Sequence, residues 1–387
     1  MNRRRIIIAS PHVWNAPYKV GSHQYATCFS DNQWKVAYVS VPITPFHVVY
    51  HFVSSKRAKL QLSTRWKSWV NGGEQIGNIW TYVPFGFIPI ASQFIFDSRW
   101  AIENAGKFLI PPLRKKLQEN AFDSVNVIWL DSPLFGYLLE MVPHGKSVLR
   151  VADDLSGFPE LGRNVIEAEK ELAKKVDLVV VTCASLERKV RDIGAKNILH
   201  LPNGVDFDHF ANDMSPEPED LRRIPGPRII YVGSIERWFD EGLLAHAAGR
   251  REDISFVIVG SYKKGMFPEL ESLRNVFFLG KRDYARIPSY LKHSHVGIIP
   301  FKRVPFVDSV NPIKLYEYMA CGLPVVSTKW ITLEEIASPS LLAETKVEFL
   351  QNINHALDLR GDIKDACIEY ARKNSWTNRF ELLNKYL

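Results

Sequence analysis

Lys314 and Glu317 stand three residues apart in the run DSVNPIKLYEYMACGLPVV, residues 308–326. Asn311-Pro312 closes a loop, and proline at the start of a helix already holds the helical φ. The helix this predicts runs from Ile313 to Cys321, and Gly322 ends it before Pro324 opens a strand. Its first turn offers unpaired N–H groups and the positive end of the helix dipole, with Lys314 beside them. That combination suits a diphosphate. Glu317 shares the Lys314 face and can accept hydrogen bonds from sugar hydroxyls. The same spacing also describes a capped surface helix with a Lys–Glu pair, and spacing alone leaves both readings open.

Two further places have the right residues for chemistry. Tyr231-Val232-Gly233-Ser234 ends one apolar run, and Val259-Gly260-Ser261 ends the next. A small turn after a strand lets backbone N–H groups approach a phosphate. The chain has neither GxGxxG nor GxxxxGK[ST], which argues against a nicotinamide cofactor and a P-loop nucleotidase. Asp153-Asp154 follow the apolar end of RVADDLS. Ligands in open α/β sheets bind outside the carboxyl ends of the strands, so one carboxylate can act as a base there while its neighbour caps the turn. Two plain turn carboxylates would read the same way.

The elements that must position these groups are legible as alternation. Apolar runs at 5–10, 35–41, 125–130, 147–151, 178–182 and 198–201 read as buried strands, as do 228–232, 256–259, 276–279, 296–299 and 324–327. Amphipathic stretches at 163–175, 185–193 and 313–321 read as helices between them. This predicts an α/β chain with parallel sheets covered on both faces. With 387 residues, two domains are expected. Residues 212–227 are polar and carry Pro216, Pro218, Pro225 and Pro227, which reads as the linker between two Rossmann-like domains. Residues 40–120 fit the alternation poorly and read as an irregular insertion in the first domain. The expected division is 1–205, 206–365 and a C-terminal helix at 366–387 packing back on the first domain.

Composition narrows the classes. The chain is 46% hydrophobic and 24% charged, ordinary for a globular protein. Cys28, Cys183, Cys321 and Cys367 are scattered without a CxxC pair, so neither a zinc site nor a disulfide framework is indicated. The apolar run after the basic start covers only residues 6–9, too short for a signal peptide. The longest apolar stretch, 85–96, is broken by Pro89 and Gln93 and falls short of the ~20 residues a span needs. Residues 1–120 hold fifteen Lys/Arg against five Asp/Glu, and six of the ten Trp. Lys56, Arg57, Lys59, Arg65 and Lys67 interleave with Trp66 and Trp69, which predicts a surface that docks on an anionic leaflet. An insertion with an aromatic core and a solvated basic rim is the alternative; no nucleic-acid motif accompanies the charge.

Several of these motifs together resemble the GT-B glycosyltransferases. LPNGVD at 201–206 followed by Phe210 is similar to their interdomain signature, and KLYEYMACGLPVV to their nucleotide-sugar motif. Ile230–Ser234 with Trp238-Phe239-Asp240, and Gly280 followed by Leu291 and 296–300, continue the likeness. Within that group the chain resembles the membrane-associated glucuronosyltransferase of xanthan biosynthesis, whose base segment is similar to RVADDLS. The resemblance implies two Rossmann-like domains facing each other across a cleft, with closure about the linker. It implies an enzyme moving a sugar from a nucleotide-sugar donor, UDP-linked, to a lipid-linked or glycan acceptor in exopolysaccharide synthesis. Asp153 is the implied general base. Gly233, Ser234, Lys281, Arg282, Phe301, Asn311, Ile313, Lys314, Leu315 and Glu317 are the implied donor contacts. Lys281 stands where the xanthan enzyme is acidic, and Glu317 where it has an amide. Retaining GT-B enzymes carry two Glu seven residues apart; Ser309 occupies the first position here, and Asp153 replaces their first-domain His. These departures favour inversion over retention. Lys314 and the helix start can meet the leaving-group charge, so no metal or other cofactor is expected, and Asp206-Phe207-Asp208 reads as structural. The expected place is the cytoplasmic face of the cell membrane, bound peripherally. A sugar-nucleotide epimerase and an inactive sugar-nucleotide-binding scaffold are the competing functions.

Overall fold

The computed structural model describes residues 3–16, 18–45, 56–88, 97–159, 161–359 and 361–387, and side chains from 62 onward within the helix Lys56–Val70. The chain divides into two compact units, 1–202 with 382–387, and 203–381.

The first unit is built on β1 (Arg5–Ser10), β2 (Lys35–Ser40), β3 (Glu74–Ile76), β4 (Ile79–Tyr82), β5 (Phe85–Gly86), β6 (Leu109–Ile110), β7 (Val125–Leu130), β8 (His144–Val151), β9 (Leu178–Val181) and β10 (Ile198–His200). Eight of these form one sheet in the order β10-β9-β8-β7-β1-β2-β4-β3. Its pairings are parallel except β3 with β4. Ile6, Ile7 and Ile8 are fully buried. An unbroken apolar run is what a strand covered on both faces requires, and each such side chain contributes about 1.5–3 kcal/mol. The chain reverses direction across the sheet between β1 and β7, which makes the carboxyl ends of β1, β7 and β8 the natural ligand edge.

Residues 40–120 are not simply an insertion. β4 pairs with β2 in register Val36↔Ile79 and extends the Rossmann order, with β3 folded back on it. The sequence hid this because β4 is only four residues long and its neighbour β3 is wholly exposed.

The second unit contains β11 (Arg228–Val232), β12 (Ser255–Val259), β13 (Val276–Gly280), β14 (Val296–Ile299), β15 (Val325–Thr328) and β16 (Leu341–Ala343). They are all parallel, in the order β13-β12-β11-β14-β15-β16. This is the doubly wound order, with its switch point between β11 and β14.

Two expected boundaries move. Residues 212–227 are not a linker: Leu221 and Ile224 are buried in the second unit's core, as is Phe210 just before them, which fixes the segment there. The division falls after Pro202 because Val205 pairs with Ser375, and a Cβ on Gly204 would meet the Asn374 carbonyl at 2.7 Å. Of the 366–387 segment, only 382–387 groups with the first unit. Cys367 and Ala371 lie in the second unit's core, and Tyr370 stacks on Tyr316 at 6.1 Å.

Candidate functional site

Three glycines draw the carboxyl ends of β11, β12 and β13 together. Gly233 N–H donates to the Val259 carbonyl at 2.9 Å, and Gly260 N–H to that of Gly280 at 3.0 Å. A Cβ on Gly260 would lie 1.8 Å from the Gly233 carbonyl oxygen, so no larger residue fits. Gly233 has φ +145°, which side chains disfavour. The helix Ile313–Ala320 docks on this edge through Tyr318. Its hydroxyl accepts the Val232 N–H at 2.7 Å, and its ring lies where a side chain on Gly297 would stand.

That docking sets the helix start beside the Gly233 turn. No side chain caps it. Lys314 Nζ lies 4.7 Å from the Phe301 ring centroid and 5.1 Å from that of Tyr231, and has no ion-pair partner among the described residues. Tyr231 is itself held by donating to the Ser234 carbonyl at 2.9 Å. Loss of hydration lowers the Lys314 ammonium to about 8, with Glu317 opposing. Loss of hydration likewise raises the Glu317 carboxyl to about 7, opposed by Lys314 and aided by Asp206. A half-buried cation over two aromatic faces, at an uncapped helix start and without an ion-pair partner among the described residues, can accept an anion.

The other expected donor contacts divide. Gly233, Ser234, Phe301, Ile313, Lys314 and Glu317 converge on this edge. Asn311 is buried, its carbonyl accepting from Asn203 Nδ2 at 2.7 Å and its Oδ1 from the Tyr316 hydroxyl at 3.2 Å. Leu315 is fully buried and its N–H donates to the Pro312 carbonyl at 3.1 Å. Both hold the helix in place and present no free polar group. Arg282 is tied to Asp220 and to the Tyr290 hydroxyl, 2.7 Å away, while Lys281 is exposed.

Residues 226–358 match the family model described as Glycosyl transferases group 1. The chain is 26% identical over 283 residues to TuaH of Bacillus subtilis strain 168, named as a putative teichuronic acid biosynthesis glycosyltransferase; the match covers 67% of this chain and 71% of that one. Among solved structures, sucrose-phosphate synthase from Thermosynechococcus elongatus is similar with a TM-score of 0.72 and 15% identity, covering 99% of this chain and 98% of that one. Anabaena HepE in complex with UDP has a TM-score of 0.65 at 13% identity, covering 99% of each chain. The fold is GT-B.

In the first GT-B unit, Asp153 follows β8 directly. Solvent reaches it. Reduced hydration from the protein around it nevertheless raises its carboxyl above the ordinary value, and the Arg150 guanidinium opposes this. Arg150 is buried, 3.9 Å from Asp131. Asp154 is held by its neighbours instead. It accepts from Ser156 N–H at 3.0 Å and from Lys189 Nζ at 2.9 Å, and so caps the next turn. The Asp206 side chain caps the helix Phe207–Ala211, accepting from His209 N–H at 3.3 Å.

The expected membrane surface is only partly a surface. Lys67 and Trp66 are exposed. Arg65 instead turns inward, donating to the Val41 carbonyl at 2.7 Å, and Trp69 packs on Phe85 at 5.0 Å while donating to the Ile110 carbonyl. The side chains of Lys56, Arg57 and Lys59, and residues 89–96 of the apolar stretch, lie outside the described residues. No described helix is long and apolar enough to cross a membrane. Sequence reasoning missed Tyr231 and Tyr318 as site builders, although both stand in the motifs it singled out.

Proposed function

We propose that the protein is an inverting glycosyltransferase that takes its sugar from a UDP-linked donor bound at the second unit and adds it to a lipid-linked or glycan acceptor bound at the first. The observation that carries this is the Lys314 ammonium, which has no ion-pair partner among the described residues, at the uncapped start of the Ile313–Ala320 helix beside the Gly233 turn. A nucleotide diphosphate supplies an ion-pair partner there, and Glu317 accepts from hydroxyls of the ribose or sugar. Support also comes from the UDP held by HepE and from the glycosyltransferase name of TuaH.

In this reading Asp153 takes the proton of the acceptor hydroxyl as that oxygen attacks the anomeric carbon. The bond from that carbon to the diphosphate oxygen breaks, and Lys314 with the helix N–H groups meets the charge that develops. A carboxylate raised above its ordinary value is a stronger acceptor for the proton of the acceptor hydroxyl. The exposed Trp66 and Lys67, together with the base-rich first third, fit a peripheral protein at the cytoplasmic membrane face that builds an exported polysaccharide. Calorimetric titration with UDP and a set of UDP-sugars, followed by NMR of the product linkage, tests the reading. No nucleotide binding would end it, and a product with the donor's anomeric configuration would end inversion.

A further inference from the structure

The residues on either side of Asp153 are held by different elements. The Thr182 hydroxyl, buried directly after β9, donates to the Ala152 carbonyl at 2.8 Å. Asp154 accepts from the Ser156 N–H and hydroxyl, and from Lys189 Nζ at 2.9 Å. Lys189 lies on the helix Ala184–Ile193 and reaches at the same time to Glu169 Oε1, 3.3 Å away on the helix Arg163–Lys175. Glu169 is 3% exposed and has no part in the reaction proposed above. Among the described residues, the charged groups acting on one another here are Asp153, Asp154 and Glu169 against Arg150 and Lys189. Loss of hydration raises the Glu169 carboxyl, Lys189 opposes this, and Asp154 and Asp153 add to it. Loss of hydration lowers the Lys189 ammonium, but Glu169 and Asp154 outweigh it and hold Lys189 above its ordinary value. Lys189 is therefore charged at every working pH.

We propose that Lys189 is a positioning residue for Asp153 that acts through charge: bridging Asp154 and Glu169, it offsets the two carboxylates beside the base and keeps Asp153 ionised and ready to accept a proton. The proposal rests on the reading of Asp153 as the general base and names a residue on which that base depends. The turn does not need Lys189 for its shape, because Ser156 and Thr182 also hold it. What Lys189 supplies is a cation. Without it, crowding by like charge favours the protonated form of Asp153, which cannot act as a base.

The test follows the Asp153 carboxyl directly, by carbon-13 NMR titration of the full-length protein labelled at its aspartate carboxyls. The Asp153 signal is assigned by its loss in Asp153→Asn. Lys189→Met alone is a poor probe, because a buried Glu169 stripped of its cation takes up a proton and cancels the change. Glu169→Gln closes that route and still offers Lys189 an acceptor. In the Glu169→Gln background, Lys189→Met is expected to raise the Asp153 titration by about half a pH unit, the effect of losing one nearby cation. Lys189→Arg in that background keeps the charge and should keep the titration. Lys170→Met, which removes a half-exposed cation paired with Glu167, is the reference and should leave it unmoved. A Lys189 that is only structural would lower the melting temperature and leave the Asp153 titration in place. That result, or an equal shift in Lys170→Met, overturns the proposal. If Lys189→Met does not fold, Lys189→Gln, which can still donate to Asp154, decides. Turnover of Asp153→Asn reports on the base separately: an Asp153 that titrates with Lys189 but carries no turnover would remove the base and leave the coupling standing.

Discussion

Lys314 Nζ stands 3.3 Å from the point where a Cβ on Gly233 would begin. The turn and the cation therefore form one surface, and a change in either should reach the donor. Lys314→Ala is expected to weaken UDP binding by about 1.5–3 kcal/mol, the range for a hydrogen bond to a charged group. Calorimetry on wild type and variant checks this, and equal affinities would remove Lys314 from the donor site.

The same ammonium gives a pH signature. It is held at about 8, so the free protein loses this charge as pH rises through that value. A bound diphosphate favours the charged form. UDP affinity should then fall above pH 8, approaching tenfold per pH unit. Lys314→Arg keeps its charge throughout and should flatten the profile. A bend that persists in the Arg variant would assign the titration to another group.

Asp153 and Asp154 should separate cleanly. Asp153→Asn keeps the shape without accepting the proton, and turnover should drop about 10²–10⁴-fold with UDP affinity intact. Asp154→Asn should cost about 0.5–2 kcal/mol of stability and little turnover, because its carboxylate caps a turn. Partial burial alone would raise the Asp154 carboxyl, but hydrogen bonds from Ser156 and Lys189 hold it below its ordinary value. Its stabilisation is thus present above the unfolded carboxylate range and is lost as pH falls. Acid unfolding of the two variants, with turnover measured on one acceptor, tests both roles.

Gly260 measures how tightly the second unit's edge is closed. An alanine there overlaps the Gly233 carbonyl, and the expected loss is about 3 kcal/mol or more. Gly265, at φ +82° with open space around it, is the reference; Ala there should cost only the left-handed strain of about 1–2 kcal/mol. Denaturant unfolding compares the two, and equal losses would show that the edge can relax.

The base-rich order of residues 56–67 predicts salt-sensitive attachment. Replacing Lys56, Arg57, Lys59 and Lys67 by Gln, with the inward-turned Arg65 left intact, should abolish sedimentation with anionic vesicles, at about 1 kcal/mol per residue. Wild-type protein that stays in solution with such vesicles at low salt would remove the membrane from the reading.

By itself, the amino-acid order determined the long apolar strands and the helix at Ile313, because an unbroken apolar run or a Pro-to-Gly bracket has few other local solutions. It placed Lys314, Gly233 and Asp153 at strand or helix ends for the same reason. It could not show β4, which is four residues long and gains its identity only by pairing with β2. Nor could it show that Phe210 and Leu221 are core of the second unit, since a polar, proline-rich segment looks like a linker until its few apolar residues find a surface. Arg65 and Lys67 are alike in sequence, yet one turns inward to the Val41 carbonyl and the other faces solvent. Tyr318 and Val232 lie 86 positions apart, and the hydrogen bond between them sets the helix start against the Gly233 turn. Local pattern encodes which elements form. Which buried polar atoms find partners depends on contacts between distant segments, and tertiary packing alone decided that.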